Sequence, residues 1–166
     1  NELLDALEEN IPNRQGLVSQ AEGDYRKLKL LLENFQNKDV EALLIKVLRA
    51  SLRVRSDNAA VVELMSWASE ISILGREEQK TFLQYGIRFI RDAFLLNYSL
   101  TNLVHYKSEN GFDINKLGPF INSENIDDLI ALFEKSHYHI TRNANAKMIF
   151  TELSLQLTRL LKKVSE

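Results

Sequence analysis

The sequence contains no cysteine, and only two prolines and six glycines occur among its 166 residues. Without cysteine the chain can form no disulfide, no thiol nucleophile and no cysteine-ligated zinc site. The shortage of proline and glycine argues against collagen-like chains and against an all-β protein with frequent tight turns. No apolar run approaches the roughly 20 residues that a membrane-spanning helix needs. These absences favour a helical protein, which we expect to be cytoplasmic and not inserted in a membrane.

The charge balance and the length of the chain exclude fewer classes of protein. The 21 Lys and Arg residues nearly balance the 23 Asp and Glu residues, for a net charge of -2. We therefore expect no chain-wide affinity for nucleic acid, only local patches. The length fits one domain, or one domain with part of a second. Because the chain begins with Asn1 and an amphipathic stretch, without a signal sequence, we expect it to be a piece of a longer polypeptide.

Apolar residues recur about every 3.6 positions along nearly the whole chain, which predicts helices that each bury one face. Three short helices are predicted within residues 1–37, with Asp24 as the N-cap of the third. Five longer helices are predicted at residues 39–55, between Asn58 and Gly75, and at residues 76–106, 124–142 and 146–164. Asp39 is the expected N-cap of the first of these, and residues 107–122 form a structured connection with one short helix.

The apolar stripes predict which side chains are buried. The helix at residues 76–106 has a wide apolar arc, which is typical of the central helix in a bundle. In the helix between Asn58 and Gly75, the main apolar stripe includes Val61 and Leu64. Trp67 lies beside this stripe and not on it. His137 lies on the stripe of the helix at residues 124–142, so we expect a hydrogen-bonded core histidine, with His139 at the surface.

The residue types needed for catalysis or cofactor binding do not fall into the usual patterns. No glycine-rich loop is followed by Lys and Ser or Thr, as a nucleotide phosphate site requires. His137 and His139 lack the spacing of a helical metal-binding pair. No carboxylate pair stands out for acid and base catalysis, since Glu77-Glu78 and Asp127-Asp128 lie at helix starts, and no nucleophile elbow is present. We therefore predict no enzyme activity, no cofactor, no metal and no small-molecule substrate.

Two groups of residues are candidates for contact with partners. Lys46, Arg49 and Arg53 lie opposite the apolar stripe of their helix and could contact DNA phosphates or acidic partners. No aromatic residue is interleaved with them and acids follow closely, which favours a solvated helix side. Met148 and Leu155 lie a heptad apart, nearly opposite the main stripe of the last helix. This second strip is either a second core contact or a subunit interface.

Several stretches resemble a known family. The sequence AEGDYRKLKLLL at residues 21–32 resembles a helix start in the lid domain of clamp-loader subunits, although its GDY string also occurs in tetratricopeptide repeats. Three further stretches resemble the C-terminal region of the delta-prime subunits of bacterial DNA polymerase III, in the form found in Bacteroidetes-like sequences. They are GREEQKxFLxY at residues 75–85, PFIN at residues 119–122 and RNANAKxxFTxLSLxLTRLL at residues 142–161, where x marks a position outside the resemblance. The resemblance covers nearly the whole chain.

The resemblance implies a helical assembly module. Residues 1–37 would be the end of an AAA+ lid domain, and residues 39–166 would be a collar domain, an all-α bundle of about five helices. In that family the collars of five subunits pack into a ring. Arg26 matches the ATP-sensing position of the lid.

The implied function is non-catalytic support of ATP-dependent sliding-clamp loading during DNA replication. The partners would be the gamma or tau and delta subunits, while DNA would be contacted only indirectly through the assembly. Met148, Leu155 and Arg159 are the residues expected at the subunit interface.

Two other hypotheses remain. A tetratricopeptide-like scaffold that binds peptides would need at least three similar helix pairs, yet no segment recurs at a fixed spacing. An enzyme would need a pocket in which His105, His137 or His139 meets carboxylates at hydrogen-bonding distance.

Overall fold

The computed structural model describes residues 25–161, with the backbone alone for residue 25 and residues 27–38. Its α-helices are α1 (Tyr25–Arg53), α2 (Ala59–Ser72), α3 (Arg76–Asn97), α4 (Ile126–Thr141) and α5 (Ala146–Leu160). Two 3-10 helices, Thr101–Leu103 and Ile114–Phe120, lie between α3 and α4. No strand occurs among these residues, so the predicted all-α fold is confirmed. The helices predicted before Asp24, and residues 162–164 of the last predicted helix, lie outside the described range.

The chain divides by its contacts into two compact units, residues 1–39 and residues 40–166. Helix α1 continues across this division, although the sequence predicts that one helix ends at Asn37 and that Asp39 caps the next. That prediction is wrong because residues 37–39 contain neither proline nor glycine, so the backbone can continue its helical hydrogen bonds.

The centre of the second unit is an aromatic cluster with one side chain from each of the helices α2 to α5. Trp67, Phe82, Phe133 and Phe150 are all fully buried. The ring centroid of Trp67 lies 5.6 Å from that of Phe82 and 5.9 Å from that of Phe150. Phe82 lies 6.4 Å from Phe133 and 6.0 Å from Phe150. Tilted and edge-on aromatic pairs each contribute about 0.5–1.5 kcal/mol to stability in addition to the burial of their surface. The cluster therefore stabilises the packing of four helices around one point.

Trp67 therefore lies at the centre of the core and not beside the stripe of α2. Its indole N–H donates a hydrogen bond of 2.9 Å to the carbonyl oxygen of Leu43 on α1. Val61, which the sequence assigns to the stripe, is exposed instead. The reason is that α2 contacts both α1 and α5, so its buried face is centred between two neighbours.

Helix α3 is the central helix, and its predicted wide apolar arc is buried against α4 and the 3-10 helix Ile114–Phe120. The helix ends at Asn97, however, and not near Tyr106, so its length is roughly 33 Å. Ser99 adopts a left-handed backbone with φ of 60°, and the Leu100 N–H bonds back to the carbonyl of Leu95. This turn ends the helix in the manner of a C-terminal cap.

The substitution Gly86→Ala should destabilise the protein by about 1–3 kcal/mol through overpacking. A Cβ atom added at this position would lie 2.3 Å from Cε1 of Phe133, whose ring cannot move without displacing the aromatic cluster. Urea unfolding followed by the fluorescence of Trp67, the only tryptophan, measures the change.

Gly75→Ala is the matched control, because a Cβ atom there meets nothing closer than 3.6 Å. Unchanged stability of the Gly86→Ala variant would contradict the close approach of α4 to α3.

Candidate interaction surfaces

The three histidines are dispersed over the second unit. His137 is half-buried and not in the core, and its Nε2 atom lies 3.4 Å from Nε2 of Gln84. The prediction failed because α4 buries Leu129, Phe133, Ser136 and Ile140, which leaves position 137 at the edge of its buried face. His139, expected at the surface, is also half-buried, and His105 is exposed. Within residues 25–161, no group of three or more His, Asp or Glu side chains is arranged to hold a metal ion.

The stretches that carry the family resemblance meet where helices begin and end. Gly75 is the N-cap of α3, and its N–H donates to the Glu78 carboxylate at 2.9 Å. The guanidinium of Arg76 donates to the carbonyls of Ile140 at 3.2 Å and Ala144 at 3.1 Å, just where α4 ends. A cation there satisfies carbonyls that have no partner within the helix and interacts favourably with the helix dipole.

Two amide side chains join other helix ends in the same way. Gln79 is buried, and its Nε2 atom donates to three carbonyls at the end of α2, those of Ile71, Ser72 and Leu74. Asn125 donates at 2.8 Å to the carbonyls of Phe120 and of Leu160, the last residue of α5. The stretch at residues 75–85 thus has a structural role of its own, which is to connect α3 to the ends of α2 and α4.

A buried carboxylate attaches the loop before the 3-10 helix Ile114–Phe120 to α1. Glu41 is fully buried. Its Oε1 accepts hydrogen bonds from the hydroxyls of Tyr106 at 3.0 Å and Ser108 at 2.8 Å. Its Oε2 accepts from the N–H of Glu109 at 2.8 Å and the hydroxyl of Tyr85 at 3.4 Å. Four donors compensate for the loss of water around the charge, which makes this burial sustainable.

The two tyrosines of this cluster resist ionisation. Burial raises the pKa of Tyr85 far above its ordinary value, and the negative charge of Glu41 raises it further. Burial also raises the pKa of Tyr106 to about 12, with the Ser108 hydroxyl acting in the opposite direction and Glu41 in the same one. Both phenols therefore remain hydrogen-bond donors to Glu41 through the neutral and mildly alkaline range.

A groove of about 460 Å³ opens between α1, α2 and the loop at residues 110–112. We call it the basic groove. Its lining residues are Ala42, Ile45, Lys46, Arg49, Arg53, Glu63, Asn110, Gly111 and Phe112. The guanidinium carbon of Arg49 lies 5.4 Å from the ring centroid of Phe112. The basic helix side therefore does have an aromatic neighbour, supplied by a segment about 60 positions away in the sequence and not by the helix itself.

The cations of the basic groove differ in their partners. Lys46 pairs with Glu70, and Arg53 pairs with Glu63, both acids being on α2. These side chains are about half exposed, so each pair contributes about 1 kcal/mol or less. Arg49 lies between the two pairs, and no acidic side chain in the described part of the chain pairs with it.

The outer face of α5 carries exposed apolar side chains. Met148 is 71% exposed and Leu155 is 45% exposed, while Arg159 lies exposed one turn further on the same side. We call these three residues the α5 strip. The opposite side of the helix buries Phe150, Leu153, Ser154 and Leu157. Met148 and Leu155 are therefore not part of this unit's own core, and a subunit interface is the alternative that stays open.

Arg26 is exposed in the first turn of α1, in the first unit. Its ATP-sensing role stays a prediction.

Sequence reasoning missed Glu41 and Phe112. Glu41 precedes the buried residues Leu44 and Leu48 by three and seven positions, so an acid on an apolar stripe is the signal that could have found it. For Phe112 there is no such signal, because its contact with Arg49 depends on the path of the loop.

Comparisons with protein-family models, with curated proteins and with solved structures found no match to this chain. The family resemblance thus rests on the quoted stretches alone. Over the range that the structure describes, no helix combines the length and the apolar character needed to cross a membrane.

The free energy of unfolding should fall as the pH rises from about 10 to about 12. In this window the unfolded chain has released the phenolic protons of Tyr85 and Tyr106, whereas the folded chain still binds them. The folded state therefore binds more protons, and stability decreases with pH. Below pH 10 the phenols are protonated in both states, and the contribution is fully present.

Urea unfolding at about pH 9 and about pH 11, monitored by Trp67 fluorescence, tests this expectation. Tyr106→Phe should make the alkaline fall smaller, whereas Tyr98→Phe, which alters an exposed ring, should not. An alkaline fall of the same size in Tyr106→Phe and the unmodified protein would contradict the assignment.

Proposed function

We propose that this chain is a non-catalytic assembly module, the lid end and collar domain of a clamp-loader delta-prime subunit. In this role it helps to hold the clamp loader together while other subunits use ATP to load the sliding clamp during DNA replication. The observation that carries the assembly role is the α5 strip. Two apolar side chains a heptad apart are exposed on a helix whose other side is buried, which supports a contact of this face with another protein.

The resemblance supplies the identity of the partners. They are the gamma or tau and delta subunits, joined through a ring of collars in the cytoplasm, with DNA contacted only through the assembly. The chemistry of the α5 strip suits such a contact, because methionine and arginine are enriched at interfaces and Leu155 adds apolar area between them.

The architecture favours this proposal over a peptide-binding repeat scaffold. A scaffold of that kind stacks similar helix pairs, each contacting only its neighbours. In residues 40–161, α2 to α5 instead contribute to one aromatic cluster around Trp67 and Phe82. A single shared core of this kind is typical of a compact domain.

Size-exclusion chromatography tests the choice of partners. The purified chain should co-elute with a mixture of gamma or tau and delta subunits. Separate elution of the chain at every salt concentration would count against the clamp-loader assignment.

Leu155→Glu should weaken binding to these subunits by about tenfold or more, since a charge would be buried in an apolar contact. Its effect on the isolated chain should stay within about 0.5 kcal/mol, because the side chain is half exposed. Met148→Glu should behave in the same way. Isothermal titration calorimetry and thermal unfolding measure the two quantities.

Leu100→Glu is the matched control, since Leu100 has the same residue type and is 46% exposed, but lies outside α5. A large loss of stability in Leu155→Glu with binding retained would place Leu155 in the core and refute the interface.

A further inference from the structure

We propose that the basic groove is a docking site for an acidic, partly apolar peptide segment of a partner protein, with Arg49 binding a carboxylate of that segment. The α5 strip shares no residue with the basic groove, so this proposal does not depend on the assembly function.

The distribution of charge in the basic groove singles out Arg49. The lining contains three cations and one acid. Glu63 neutralises Arg53, and Glu70 neutralises Lys46 from outside the lining. Among the described residues no acid pairs with Arg49, which is exposed, so its guanidinium can meet a carboxylate of a ligand without first breaking an ion pair. A guanidinium binds carboxylates through two parallel hydrogen bonds, which gives both affinity and orientation.

The walls next to Arg49 are apolar. Ile45 belongs to the floor of the basic groove, and the Phe112 ring lies against the guanidinium. An aromatic ring beside a guanidinium limits its motion, so less conformational entropy is lost when a carboxylate binds. A volume of about 460 Å³ lies within the usual range for ligand sites and accommodates a short piece of peptide. A ligand with an acidic group next to an apolar side chain would complement both features.

The Glu41 cluster holds the loop wall in position. The Ser108 hydroxyl donates to Glu41 and accepts the N–H of Phe112 at 2.6 Å. A continuous set of hydrogen bonds therefore runs from the buried carboxylate on α1 to the aromatic residue that contacts Arg49. Glu41 is fully buried, so this connection is anchored inside the protein, and it holds the loop wall of the groove in place before a ligand binds. Preformed sites bind more tightly because little ordering is needed.

The same charges disfavour a nucleic acid. A protein that binds a phosphate backbone usually neutralises several phosphates with unpaired Lys and Arg side chains. Here Glu63 and Glu70 flank the cations and would repel a row of phosphates. A single carboxylate at Arg49 encounters no such conflict.

Fluorescence anisotropy with a short labelled peptide that alternates glutamate and leucine tests the proposal on the full chain. We expect saturable binding that weakens as the salt concentration rises. Arg49→Gln should weaken binding by about tenfold or more, because the carboxylate loses a charged two-point partner. Arg88→Gln is the matched control, since Arg88 is an exposed arginine on α3 outside the groove, and it should bind as the unmodified chain does.

A variant that is expected to bind the peptide more tightly provides an independent test. Glu63→Gln removes the acid from the lining and releases Arg53, so it should strengthen peptide binding by roughly threefold. This variant keeps the test decisive if Arg49→Gln folds poorly.

Several outcomes would overturn the proposal. The first two are that the acidic peptide does not bind, or that a matched peptide of glutamine and leucine binds equally well. The next two concern the variants: Arg49→Gln and Arg88→Gln lose the same affinity, or Glu63→Gln binds the peptide no more tightly than the unmodified chain. The last is that an oligothymidylate binds more tightly than the acidic peptide. The last result would assign the groove to nucleic acid.

Discussion

The rest of the second unit depends on the aromatic cluster of Trp67, Phe82, Phe133 and Phe150. Each of the helices α2 to α5 contributes one ring, and all four rings are fully buried. Because the rings contact one another, no helix can rotate or slide without disturbing the other three. Gly86 belongs to the same constraint, since the absence of a side chain lets the Phe133 ring lie against the backbone of α3. The hydrogen bonds of Arg76, Gln79 and Asn125 to helix-end carbonyls then join the ends of helices whose side chains meet in the cluster.

A second constraint joins α1 to the loop that follows the Thr101–Leu103 3-10 helix. An ionised carboxylate is costly to bury, so Glu41 can occupy its position only while Tyr85, Tyr106, Ser108 and Glu109 all donate to it. The loop is held in place for the same reason. If it moved away from α1, the Glu41 carboxylate would be buried without its hydrogen-bond donors. Such a cluster specifies one loop conformation more strongly than an apolar contact of similar size would. It thereby places Phe112 beside Arg49.

The two candidate surfaces use different chemistry on one rigid core. The α5 strip is apolar, with one arginine at its end, and suits the broad contacts by which subunits assemble. The basic groove is concave and combines charged with apolar lining residues, with one arginine that has no acidic partner among the described residues, and suits a narrow segment. Under the two proposals, the domain would bind other subunits through the α5 strip and a peptide segment in the basic groove. A clamp-loader collar is the assembly that the stretches at residues 75–85 and 142–161 favour, and the interactions of Arg76 with the end of α4 give the first of these stretches a structural role as well.

Apolar periodicity was sufficient to predict the all-α class, the wide buried arc of α3, and the positions of α4 and α5 to within a few residues, because it follows the one buried face of each helix. Periodicity did not predict which apolar residue of α2 lies at the centre of the core. Trp67 has that position because α2 contacts both α1 and α5. Nor did periodicity predict the end of α3 at Asn97, which depends on a left-handed turn at Ser99, or the continuity of α1 through Asp39. The burial of Glu41 among donors and the position of Phe112 beside Arg49 became visible in the folded protein alone. Periodicity reflects contacts within one helix, whereas these arrangements depend on side chains brought together from segments that are distant in the chain.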